Sequence, residues 1–159
     1  MKAQMESCGR FLRLHGYERR IVLAAAAGLV TTWVGLRLAG FRRWHRALEW
    51  IALATGKPLD TTSAGVVERA REISGLVAAA ARNLPCRMYC LEQSLVVWWL
   101  LRRRGIPATL RMGGRKEGER FEAHAWVELE GANLSDSDTE YIHFIPFEGT
   151  IASRETQTQ

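Results

Sequence analysis

Cysteine and proline are both scarce in this chain of 159 residues, at three and four respectively. So few cysteines cannot frame a disulfide-stapled scaffold, and a reducing, cytoplasmic setting fits them better. Cys86 and Cys90 lie one helical turn apart, and a bridge between them would constrain almost nothing. No stretch rich in Pro, Gly or Ser divides the chain, and there is no internal repeat or low-complexity segment. At 47% hydrophobic and 25% charged residues, the composition is that of an ordinary globular protein. Disorder is expected only at the ends, where the polar tail 153–159 reads as frayed. The length suits a single domain, 1–159, with a real core.

A long apolar run is nearly present. Ile21 to Leu36 carries no charge, between Arg19-Arg20 and Arg37. Those 16 residues fall below the ~20 that a spanning helix needs. Four consecutive alanines, two glycines and two threonines weaken the run further, and no cleavage site leads into a plainly mature start. It reads as a buried helix, and no membrane span is expected. The net charge of +5 attracts nucleic acid, anionic membrane or an acidic peptide without choosing between them. The run Arg102-Arg103-Arg104 reads as the solvated end of a helix, where cations complement the dipole. No nucleic-acid partner is expected.

The two halves of the chain differ in texture. Residues 10–82 read as helices, with apolar stripes from Leu12 through Trp33–Leu38 and on through Trp44, Leu48 and Ile51. Gly56-Lys57-Pro58 breaks the pattern, and Asp60 to Ser63 offers caps for a helix over roughly 63–82. Its inner face carries Val66, Val67, Ala70, Ile73, Val77 and Ala81. Pro85 ends that element. A further helix spans about 89–104, with Leu91, Leu95, Trp98 and Trp99 among its apolar positions, and stops at Gly105 with Pro107 beyond.

After Pro107 the period shortens from 3.6 to 2. Ala108, Leu110 and Met112 alternate with polar neighbours, and Gly113, Gly114 and Gly118 mark a turn. Ala123, Ala125, Val127 and Leu129 then form the apolar face of a half-buried strand, opposite His124, Trp126 and Glu128. Residues 131–133 turn the chain, and 141–147 reads as another strand. Helices, a cysteine-bearing helix and then an antiparallel sheet make an α+β layout.

Three residue types in this layout suggest chemistry. Cys90 stands at the front of a strongly marked helix, where the N–H groups and the dipole favour an anion, and the thiolate is the reactive form of cysteine. The same N–H groups suit a developing oxyanion. His124 stands on a neighbouring strand as the candidate base. A base needs an orienting acid, and Asp136 and Asp138 both follow the next turn. Cys86, Cys90, His124 and His143 have donor atoms for zinc, but Cys-x3-Cys with histidines 19 apart fits no standard spacing. No metal or other cofactor is expected. Glu68, Glu72, His15 and His45 read as surface residues.

Cys90-Leu91-Glu92-Gln93-Ser94-Leu95, running through Trp98-Trp99 to Gly105-Ile106-Pro107-Ala108, resembles the cysteine segment of the transglutaminase-like leader peptidases of lasso-peptide biosynthesis. Leu110-Arg111-Met112-Gly113 and Phe121-Glu122-Ala123-His124-Ala125-Trp126-Val127-Glu128 continue the likeness, which covers about 84–147. The resemblance implies a papain/transglutaminase-like core there and a cysteine peptidase that removes the leader from a ribosomally made precursor peptide. It implies Cys90 and His124 as catalytic and places the acid twelve residues after the histidine, at Asp136. It also implies two partners, a leader-binding recognition protein and a lasso cyclase. Some members carry the recognition domain, rich in strands, at their own N-terminus. Here 1–82 reads as helical scaffold and docking region, so that domain is expected on a separate protein.

Overall fold

A computed structural model describes residues 15–55, 65–117, 120–134 and 144–147. Asp136, Asp138, His143, Gly118, the break at 56–58, the caps at 60–63 and the tail 153–159 lie outside the described residues. Among the described residues three helices precede the sheet: α1 (Gly16–Thr55), α2 (Val66–Asn83) and α3 (Cys90–Arg102). The strands β1 (Thr109–Glu117), β2 (Arg120–Leu129), β3 (Ala132–Asn133) and β4 (Ile145–Pro146) follow. They form one antiparallel sheet in the order β3-β2-β1-β4. This is a mixed α+β arrangement.

Helix α1 breaks at Gly40, with φ 72° and ψ 168°, a conformation that a residue with a Cβ adopts only under strain. The sequence pattern marks helices on both sides of this point but not the point itself. Beyond the break the indole of Trp44 lies so close over Gly35 that a side chain there would overlap it. His45, read from sequence as a surface residue, is instead buried at 7% exposure. Its ring stacks on Trp98 with centroids 4.6 Å apart and faces Phe41 at 5.7 Å.

The core gathers on α3, which is apolar on nearly every side. Leu95, Val96, Val97, Trp98, Leu100 and Leu101 are all buried, as a helix between two layers must be. Each such side chain stabilises the fold by about 1.5–3 kcal/mol through removal from water. Helix α1 seats on α3 through Ile21, Ala25 and Leu29, which are buried. The approach is close at Gly28, where a Cβ would sit 3.2 Å from Val96 and 3.5 Å from Trp99. Helix α1 is also long and apolar enough to cross a membrane by length and composition, and 33% of its most apolar window is buried.

Helix α2 buries Ala70, Ile73, Ser74, Val77 and Ala80, close to the face read from its spacing. It starts from Gly65, at φ 109° and without a side-chain cap, and ends before an extended Leu84 that precedes Pro85. Helix α3 stops where Gly105 turns left-handed at φ 74°. There the Ile106 N–H donates to the Leu101 carbonyl at 3.1 Å, and Arg104 donates to the Leu100 carbonyl at 2.8 Å.

One reading of the sheet needs correction. Gly113 and Gly114 are not a turn; they lie inside β1, paired with His124 and Ala123. Close packing explains them. A Cβ on Gly113 would meet the Ile145 carbonyl oxygen at 2.6 Å and the Trp126 ring at 2.9 Å. The face bearing Trp126 is therefore covered, and Trp126 is only 2% exposed. Its Nε1–H donates to Glu128 at 2.7 Å, and Arg111 donates to the other oxygen of that carboxylate at 3.0 Å.

Candidate active site

Cys90 is the first residue of α3, preceded by an extended Tyr89 at φ −86°, ψ 175°. The turn that presents it is held from both sides. The Tyr89 N–H donates to the Glu92 carboxylate at 3.1 Å, and Glu92 is buried at 8% exposure. The Gln93 side-chain amide donates to the Met88 carbonyl at 2.9 Å. The first intrahelical bond runs from the Gln93 N–H to the Tyr89 carbonyl at 3.2 Å. The N–H groups of Cys90 and Leu91 therefore have no acceptor within the helix, as at any helix start. They mark a site suited to a developing negative charge.

His124 is half-buried on β2, directly opposite Gly113. Its imidazole is flanked by Trp126, with centroids 6.1 Å apart and planes 13° apart, and by Phe144 at 5.1 Å. Aromatic rings on two sides restrict how the imidazole turns. The space over the glycine opposite is taken by the Trp126 ring and the Ile145 carbonyl.

Cys90 and His124 line one cleft of about 380 Å³. Gln93, Ser94 and Val97 continue its α3 wall, and Ala125 and Val127 its β2 wall. Ser74, Val77, Ala78 and Arg82 of α2 close the third side. Helix and strand are joined at this point by the buried Ser94 hydroxyl, which donates to the Ala125 carbonyl at 2.9 Å. The nucleophile and base candidates thus share a solvent-reached space with a hydrogen bond fixing the elements that carry them. A thiol and an imidazole so arranged suit nucleophilic chemistry on a carbonyl.

The candidate acids Asp136 and Asp138 lie outside the described residues. The chain leading to them is held beside the histidine strand, since the Leu134 N–H donates to the Val127 carbonyl at 2.9 Å. Cys86 is half-buried and lines a neighbouring cleft, not the one at His124. Among the described residues no group of three His, Cys, Asp or Glu could hold a metal ion. No local feature of the sequence marks Arg82 or the wall of α2. Gln93 and Ser94 had a detectable signal, because positions three and four after Cys90 share its side of a helix.

The stretch 35–147 matches the transglutaminase-like superfamily. That is well over half of the chain, and the chain belongs to this superfamily. Its members are generally cysteine-dependent enzymes and include peptidases and acyltransferases. The matched stretch opens within α1, ahead of the break, and takes in α2, α3 and the sheet. No curated protein and no solved structure matches the chain.

Proposed function

We propose that this protein is a cysteine peptidase that removes the leader from a ribosomally synthesised lasso precursor peptide. The observation that carries the peptidase reading is the shared cleft of Cys90 and His124. The lasso assignment rests on the motif likeness around those two residues. In this reading the Cys90 thiolate attacks the carbonyl carbon of the last leader residue, and the oxyanion that forms lies against the first-turn N–H groups of α3. His124 gives a proton to the departing amine of the core peptide, and the C–N bond breaks. A thioester joins the leader to Cys90. His124 then takes a proton from water, hydroxide equivalent adds to the thioester, and the thiolate leaves. Asp136 holds the imidazole in orientation.

The protein would work in the cytoplasm with a separate leader-binding protein and pass the freed amine to a cyclase. Helix α1 serves as scaffold in this account because one face seats on α3, and the reaction calls for neither a membrane span nor a nucleic acid. The test is to incubate the chain with a lasso precursor, with and without a leader-binding protein, and weigh the products. We expect leader with a free carboxylate and core with a free amine, formed slowly alone and fast with the partner. A new amide on the leader would instead make the protein an acyltransferase. Fast, leader-specific cleavage unchanged by the partner would refute the divided arrangement.

A further inference from the structure

The cleft at Cys90 does not end at Gln93. A second cleft of about 520 Å³ adjoins it, and Ala78, Arg82 and Gln93 line both. Its far wall is the segment joining α2 to α3, including Leu84, Pro85 and Arg87. Together the two form one groove that passes Cys90 and continues along the end of α2. Such a groove has the form to receive an extended peptide.

Among the described residues the charge along it is of one sign: Arg82 and Arg87 line the groove, and no described Asp or Glu does. Glu92, the acid nearest to Cys90 in sequence, is buried and accepts the Tyr89 N–H. Arg82 occupies the last turn of α2 and is exposed. Among the described residues it has no ion pair, whereas Arg111 and Arg115 are taken by Glu128 and Glu122. A guanidinium fork beside the nucleophile, with no carboxylate among the described residues to pair with it, matches a carboxylate brought by the substrate.

We infer that this groove holds the substrate segment next to the bond under attack, and that Arg82 selects an acidic side chain in that segment. The inference rests on the reading of Cys90 as nucleophile. It adds a specificity-determining residue that the catalytic chemistry alone does not require. The contact is partly open to water, so its effect is modest and weakens with salt.

Three thiol-directed probes test it: iodoacetyl-glutamate amide, iodoacetyl-glutamine amide, and iodoacetyl-glutamine with a free terminal carboxylate. In each, the Cys90 sulfur displaces iodide and forms a thioether, and peptide mapping separates Cys90 from Cys86. The glutamate amide should label Cys90 ~1.5–5-fold faster than the glutamine amide, the range for a partly exposed ion pair. Arg82→Gln should abolish that preference, and Arg82→Lys should keep most of it. The probe with the terminal carboxylate should fall between the other two. Equal rates for the two amides, or a preference surviving in Arg82→Gln, would overturn the inference while leaving Cys90 reactive. A faster terminal-carboxylate probe would overturn the side-chain assignment in favour of a chain end. Cys90 reacting no faster than Cys86 with every probe would overturn the nucleophile reading and the inference with it.

Discussion

Ser94→Ala removes one oxygen atom from the joint between the two elements that carry the candidate nucleophile and base. The hydroxyl is buried, with Ser94 at 6% exposure, and donates to the Ala125 carbonyl at 2.9 Å. A typical bond of this kind contributes about 0.5–1.5 kcal/mol net, and a buried acceptor losing its donor costs about 1–3 kcal/mol. Alanine leaves that acceptor in place, so a loss of about 1.5 kcal/mol is expected. For a domain of this length each kcal/mol lowers the melting midpoint by about 2–4 °C, giving a drop of roughly 3–6 °C. Thr31 supplies the comparison, since its hydroxyl donates to Ala27 and Gly28 carbonyls within its own helix. Thr31→Ala should shift the midpoint by less than about 1 °C, as surface substitutions usually do. Turnover should separate the two variants further. Loosening α3 from β2 moves Cys90 relative to His124, and misplacement of about 1 Å costs on the order of a hundredfold. Thermal melts followed by circular dichroism, together with kcat on the precursor, measure both effects. A Ser94→Ala protein as stable and as active as Thr31→Ala would refute the claim that this bond sets the site.

Gly113→Ala places a Cβ against the Ile145 carbonyl and the Trp126 ring; overpacking of this kind costs about 1–3 kcal/mol, and an unchanged melting midpoint would contradict the close packing. His45 is held below its usual pKa of 6.5 by burial, an effect that Glu49 only partly offsets. The unfolded chain therefore takes up a proton that the folded one refuses, and stability should fall as pH drops below about 6.5, by at most ~1.4 kcal/mol per pH unit. His45→Phe keeps the stacking on Trp98 and should flatten that fall in denaturant titrations; an identical profile would place its cause elsewhere. Asp136→Asn should lower kcat by roughly a thousandfold or more, as loss of a triad acid does, whereas Asp138→Asn should change it little. The reverse order would move the acid two residues along.

Much of this fold is legible in the sequence where local and tertiary demands agree. The cysteine helix ends at a glycine that must turn left-handed, and the apolar spacing of α2 already marks the residues that meet the core. Cys90 and His124 can be assigned to a helix start and a strand because capping position and period are local properties. That they line one cleft is a tertiary fact, and only the motif likeness anticipated it. The place of the break, Gly40, is not legible because apolar residues continue on both sides of it, and the packing of Trp44 over Gly35 appears only in the fold. Gly113 and Gly114 misled for the opposite reason. Glycine pairs usually mark turns, but here they admit β4 and the ring of Trp126. Arg82 gave no signal at all. A cation in the last turn of a helix is explained by the dipole alone, and its place beside Cys90 arises only when α2 closes the cleft.

The central claim is that Cys90 forms a covalent link to the leader while His124 manages the protons. Rapid quench of the chain with its precursor, followed by intact mass and peptide mapping, tests this most directly. The account predicts a leader-sized acyl adduct on Cys90 that forms and decays in step with product, in wild-type protein and in Cys86→Ala alike. Cys90→Ala should show neither adduct nor product. An adduct on any other residue, or product at near wild-type rate from Cys90→Ala, would contradict it.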